Sequence, residues 1–161
     1  MSELRVGLGV DLHRFVDEAP TGDRPLVLGG AIFPGERRLV GHSDADAIAH
    51  AIADAVLGAA GLGDLGSHFP DDDPAWRDAD SLELLATAID KVVDAGWRFV
   101  NADCTLIAER PRVAEVRDEM VARLSRAAGG PVHVKATRPE SLGSLGRAEG
   151  VACLAVALLE R

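Results

Sequence analysis

Between Ser43 and Val56 the apolar residues arrive in pairs, Ala47/Ile48, Ala51/Ile52 and Ala55/Val56, one pair every four residues. Only a helix gathers that period onto one face, so the segment predicts an amphipathic helix, with Ser43 and Asp46 as a capping box at its start. Other elements must be arranged around it. Leu4 to Phe15 has period two and predicts a strand with Asp11 and His13 on one face. Leu26 to Phe33 predicts one or two short strands bent at Gly29 and Gly30, and the Gly-, Asp- and Pro-rich stretch from Gly58 to Pro74 predicts a long functional loop. A second helix is expected from about Asp80 to Asp94, a strand from Arg98 to Ala108, a helix from Arg112 to Ala128 and a strand from Val132 to Ala136. Gly150 to Leu159 is nearly all apolar and predicts a strand buried on both faces.

Alternating strands and helices in 161 residues predict one domain, residues 1–161, of α/β or α+β class. Apolar residues make up 47% and charged residues 27%, a balance that supports a folded core. Aromatics are only 4% with no Tyr, so Ala, Val, Leu and Ile must build that core, which points to an oligomer. A net charge of −9 without a basic stripe argues against nucleic acid, although a small phosphorylated ligand remains open if local cations reverse the field. Cys104 and Cys153 sit in apolar runs, as expected of reduced thiols in a cytoplasmic protein. The N-terminal segment has no secretory pattern and the longest apolar run, Val151 to Leu159, is too short to span a bilayer. A soluble, unexported protein with no membrane partner is therefore expected.

Asp11 and His13 can reach one point from a strand, and a carboxylate with an imidazole is half of a zinc site. A lone D-x-H is more often an ordinary surface pair. On the helix, Asp46, His50 and Asp54 lie at i, i+4 and i+8, so His50 has a carboxylate one turn to either side, as a metal-bound imidazole held by an outer acceptor requires. His50 is the third candidate ligand, with Asp46 and Asp54 behind it. Three ligands leave a fourth tetrahedral position open. His42, eight residues earlier, lies about 12 Å away along a helix axis and needs another role. With Ser43 it sits at the expected helix N-terminus, where free N–H groups favour phosphate, although Ser43 as a mere cap has equal weight. Asp71, Asp72 and Asp73 form an acidic run that is either solvated or binds a polyol. Lys135, Thr137, Arg138 and Glu140 offer cations, a hydroxyl and a carboxylate, and Glu140 with phosphate oxygens suits a harder second metal.

Three stretches, VGLGVDLHRF, GHSDADAIAHAIADAVLGAAGLGDLGSHFPDDDP and KATRPESLGSLGRAEGVA, resemble in order and spacing the motifs of the 2-C-methyl-D-erythritol 2,4-cyclodiphosphate synthase family, over nearly the whole chain. The resemblance implies an α+β fold, a mixed sheet with helices on one side, and a homotrimer with active sites between subunits. It makes Asp11, His13 and His50 ligands of one Zn2+ per site and places Leu12 beside them. His42 and Ser43 contact the phosphates, and Glu140 stands near Mg2+ or Mn2+ on the diphosphate. Asp64, Leu65 and Gly66, with Phe69, Pro70, Asp71, Asp72 and Asp73, surround the ribose and methylerythritol. Ala108, Glu109, Arg110, Pro111, Arg112, Val113 and Ala114 surround the cytidine, carrying the A-x-x-P-[KR] pattern at Ala108, Pro111 and Arg112. Thr137, Arg138, Pro139, Glu140, Ser144 and Arg147 complete the site, with Arg147 and Glu149 expected near the threefold axis either as an anion site or as a plain ion pair.

Two departures stand out. The family's K-A-T-T-T-E is Lys135, Ala136, Thr137, Arg138, Pro139, Glu140 here, so Arg138 occupies the place of a threonine that helps stabilise the transition state. His42 and Arg138 are then the expected catalytic residues. Ser144 stands where a Phe is usual. The implied reaction is attack of the 2-phosphate of 4-diphosphocytidyl-2-C-methyl-D-erythritol 2-phosphate on the β-phosphorus of its own diphosphate, releasing CMP. A zinc phosphohydrolase, with water at the open metal position, and a non-enzymatic assembly protein with a structural metal are the alternatives.

Overall fold

A computed structural model describes residues 2–17 and 24–161. Strand β1 (Leu4–Arg14) is followed by a hairpin of β2 (Leu26–Leu28) and β3 (Ala31–Phe33), turned at Gly29 and Gly30, whose φ values of 58° and 73° suit glycine. Helix α1 (Ala47–Ala60) leads through a one-turn helix, α2 (Leu65–His68), and a 3-10 turn at Pro74–Trp76 to α3 (Ser81–Asp94). Then come β4 (Arg98–Ile107), α4 (Arg117–Ala128), β5 (Val132–Thr137), the one-turn α5 (Gly143–Gly146) and β6 (Gly150–Glu160). The sheet order is β1-β6-β4-β5, with β6 antiparallel to both neighbours and β4 parallel to β5. This is the mixed sheet of an α+β fold.

Helix α1 is central rather than amphipathic. Every residue from Ala47 to Ala60 is buried except Asp54 and Gly58, because β1 and β6 cover one side and α3 the other. The helix rides on β1 at backbone contact: a Cβ at Gly7 would stand 1.9 Å from the Ala55 carbonyl oxygen, and one at Gly9 1.9 Å from that of Ala51. The start of α1 also differs from expectation. Asp46, not Ser43, is the N-cap, its Oδ1 accepting from the N–H groups of Ile48 and Ala49, while Ser43 Oγ accepts from Ala45 in the turn before the helix. Gly61, at φ 74°, ends α1 three residues beyond the expected loop start at Gly58. The expected start of α4 at Arg112 moves to Arg117, whose N-cap, Val116, makes no side-chain cap bond and leaves no signal in the sequence.

One face of the sheet is bare. Leu4, Val6, Leu8, Val10 and Leu12 of β1 are exposed, as are Leu154 and Val156 of β6, so β6 is not buried on both faces within one chain. Register puts Leu8 beside Val156 and Val10 beside Leu154, making one continuous apolar patch. Towards β4 and β5 the same face turns polar, with Lys135 paired to Asp103. No helix among the described residues is long and apolar enough to cross a membrane.

Candidate functional site

The period of β1 turns Asp11 and His13 to the helix side near the end of the strand, and the first turn of α1 delivers His50 to the same place. His13 Nδ1 lies 2.6 Å from Asp11 Oδ2 and His50 Nδ1 3.9 Å from Asp11 Oδ1, with the imidazole centroids 5.3 Å apart. One ligand atom from each residue falls within 4.8 Å of the others, a spacing a single divalent ion can bridge. Burial holds the His50 imidazole below its usual pKa against the opposing pull of Asp11, which keeps it neutral, the form a metal requires.

The surroundings of His50 correct two expectations. The Asp46 carboxylate does not bond the His50 ring; only the backbone joins them, His50 N–H donating to the Asp46 carbonyl oxygen at 3.0 Å. Asp46 is fully buried and its carboxylate oxygens accept from Gly29 N (2.8 Å), Gly30 N (2.7 Å), Ile48 N and Ala49 N, clipping the β2–β3 hairpin to the start of α1. The Asp54 carboxylate likewise makes no bond to the His50 ring and accepts from Leu65 N at 3.1 Å. A capping residue cannot also reach one turn forward along its own helix, and no i±4 reading detects that competition. The groups that meet His50 Nε2 are hydroxyls, Ser81 Oγ at 2.9 Å and Ser43 Oγ at 3.2 Å, and Ser81 Oγ in turn donates to Asp44 Oδ1. Neither Ser81 nor Asp44 was among the sequence candidates. They lie 37 residues apart, and no local spacing joins them.

His42 and Ser43 sit in the bend before α1, not at its N-terminus, so the helix-dipole argument for phosphate does not apply there. They nevertheless line the same cavity as the cluster. That cavity, about 710 Å³, is walled by Asp11, Leu12, His13, His42, Ser43, His50, Asp54, Asp64, Leu65, Gly66, Phe69 and Asp71. Phe69 packs edge-on against Trp76 at 5.0 Å, Asp64 caps α2, and His42 Nε2 lies 3.2 Å from the Asp73 carbonyl oxygen. Hydrogen bonds from Ser67 hold the exposed Asp64 carboxyl below its usual pKa. Pro70, Asp72 and Asp73 are exposed in the same loop without lining the cavity, and Asp73 caps the 3-10 turn instead.

The remaining candidates lie elsewhere on the chain. His13 is opposite Val151, and Ala152 opposite Ile107, which pairs with Thr137; all reach the same end of the sheet. Yet β5 is three strands from β1, about 14 Å at the usual strand spacing. There Ala108, Glu109, Pro111, Arg112, Val113, Ala114, Thr137 and Arg138 line a cavity of about 320 Å³, and Arg110 borders a neighbouring one of about 490 Å³. The Arg138 guanidinium grips Glu109 through Nε (3.0 Å) and Nη2 (2.6 Å), and Ser141 N donates to the other Glu109 oxygen at 2.9 Å. The Ser141 amide first, and then Arg138, hold the Glu109 carboxyl below its usual pKa, while the bond to Glu109 raises that of Arg138. Pro139 and Glu140 follow, Glu140 exposed at φ 51°, and Ser144 is exposed on α5. Arg147 bonds Glu149 of its own chain at 2.6 Å.

A family model described as the YgbB family matches residues 4–160. A protein of Rubrobacter xylanophilus named 2-C-methyl-D-erythritol 2,4-cyclodiphosphate synthase is 53% identical over 164 residues, covering all of this chain and 98% of that protein. One of the same name from Geobacillus kaustophilus is 51% identical, with 98% of each covered. The structure described as Plasmodium falciparum IspF in complex with CDP superposes with a TM-score of 0.81 at 28% identity, covering 97% of this chain and 95% of that one.

Proposed function

The chain belongs to the YgbB family, and from that premise we propose that it converts 4-diphosphocytidyl-2-C-methyl-D-erythritol 2-phosphate to 2-C-methyl-D-erythritol 2,4-cyclodiphosphate and CMP in non-mevalonate isoprenoid synthesis. It is a cytoplasmic phosphorus–oxygen lyase. The observation that carries the reading is one cavity joining a three-ligand cluster, Asp11, His13 and His50, to His42, Ser43 and the loop residues Asp64, Phe69 and Asp71. The donor set of one carboxylate and two imidazoles fits zinc, and bound Zn2+, with Mg2+ or Mn2+ near Glu140, supplies charge neutralisation to the phosphates.

Every other step falls to the side chains. The nucleophile, a phosphate oxygen, is already an anion and needs no base, so positioning dominates. His42 and Ser43 orient the phosphates. Asp64 and the Phe69–Asp73 loop hold the ribose and methylerythritol. The cytidine sits in the pocket from Ala108 to Ala114, beside Thr137 to Glu140. Since that pocket lies about 14 Å from the cluster in one chain, each active site takes its nucleotide half from one copy and its metal half from a neighbour in a homotrimer. The bare apolar face of β1 and β6 is the surface such an assembly buries.

Turnover of the cytidyl substrate separates this reading from a zinc phosphohydrolase: equimolar cyclic diphosphate and CMP are expected, and release of inorganic phosphate would overturn it. Elemental analysis should find one zinc per chain.

A further inference from the structure

We propose that Ser81, fixed by Asp44, sets the tautomer of His50, turning its Nδ1 lone pair towards Asp11 and His13 and leaving the Ser43 hydroxyl in a long bond to Ser81 Oγ, from which it turns to donate to a phosphate oxygen. The inference rests on reading the three residues as a metal centre.

Proton counting carries it. Ser81 is buried, and a hydroxyl has one proton and two acceptor lone pairs. That proton goes to Asp44 Oδ1, while the Ser81 backbone N–H goes to Asp44 Oδ2 at 3.2 Å, so the carboxylate grips Ser81 at two points. Towards His50 Nε2, at 2.9 Å, Ser81 therefore presents only lone pairs. Nε2 must carry hydrogen. A neutral imidazole has a single N–H, so Nδ1 is the bare nitrogen, and it is Nδ1 that faces Asp11 Oδ1 at 3.9 Å.

The same count reaches Ser43. Its oxygen lies 3.2 Å from the protonated Nε2 and accepts the Ala45 N–H at 3.1 Å, so its own proton cannot go to His50. With the Ser81 proton on Asp44, the second lone pair of Ser81 Oγ accepts the Ser43 proton, but across a long 3.4 Å. A phosphate oxygen in the cavity that Ser43 lines is the stronger acceptor. Ser81 and Asp44 are thus positioning residues, touching neither metal nor substrate but deciding what two groups that do can offer.

The test uses metal-free, 15N-histidine-labelled protein, in which long-range 1H–15N spectra read the tautomer, with a His50→Gln variant assigning the signals. The wild type should show the Nε2–H form alone. Ser81→Ala should show a mixture of tautomers and bind zinc about 10- to 100-fold more weakly in a chelator competition, with Ser81→Thr restoring both. An Nδ1–H ring in the wild type overturns the proposal, as does a Ser81→Ala protein with unchanged tautomer and zinc affinity. If Ser81→Ala does not fold by thermal melt, the wild-type tautomer alone decides. A protein with the Nε2–H ring that binds zinc but makes no cyclic diphosphate would sink the functional reading and leave this one standing.

Discussion

Removing the His50 imidazole takes away one of three clustered ligand groups, so His50→Ala should lose bound zinc and turnover together; full zinc occupancy in that variant refutes the ligand set. Arg138 presents a different question, because its guanidinium is held by Glu109 rather than free in the cavity of the metal cluster. On the proposed assembly it reaches a diphosphate at the boundary with a neighbouring copy, from its place just beyond the end of β5. Arg138→Ala is expected to lower kcat/KM tenfold or more without loss of folding, and unchanged kinetics would make the arginine a neutral occupant of the threonine position. At this scale the sequence was legible where chemistry follows a local period: Asp11 and His13 two apart on a strand, His50 on a recognisable helix. It was silent on Ser81 and Asp44, whose meeting depends on how α3 docks against α1.

The elements meet at Asp46, where one carboxylate ties the Gly29–Gly30 turn to the first turn of α1. Burial and the nearby Asp44 charge push its carboxyl from 3.8 up to about 6, against the N–H groups it accepts. A raised carboxyl pKa means that the native state keeps a proton the unfolded chain has released, so this contribution is present in acid and fades as pH rises through about 6. Asp46→Asn removes that slope and sets an amide against the Gly30 N–H, costing about 1–3 kcal/mol. Denaturant unfolding should show the gap between wild type and variant narrowing from about pH 4 to about pH 7, and a gap that widens instead contradicts the assignment. The helices and strands were readable because apolar periods of four and two are hard to mistake. What failed was the start of α1, because Ser43 and Asp46 are both good capping residues, and its exposure, because alanine-rich turns look alike whether one side or all sides are covered.

On the whole molecule, the apolar face of Val6, Leu8, Val10, Leu154 and Val156 exceeds what scattered surface hydrophobes explain. Light scattering should give about three times the 16.9 kDa chain, and Leu8→Glu should shift the protein towards monomer with loss of turnover. A trimer from the wild type and a trimer from Leu8→Glu together would place the interface elsewhere. Near-continuous apolar β6 was readable as a strand, but whether its second face met a helix or another chain was not encoded in its own pattern. The gap of three strands between β1, which carries Asp11 and His13 beside His50, and β5, which leads to Glu140, has a genetic consequence. On the proposed assembly, chains carrying His50→Ala and chains carrying Glu140→Ala fail separately, each having the half the other lacks. Co-expressed in equal amounts they should complement one another, a random mixture rebuilding about one quarter of the sites intact. Both lesions placed on the same chain, beside a wild-type copy, should give the same quarter, so absence of recovery in the mixed strain would mean that each chain works alone.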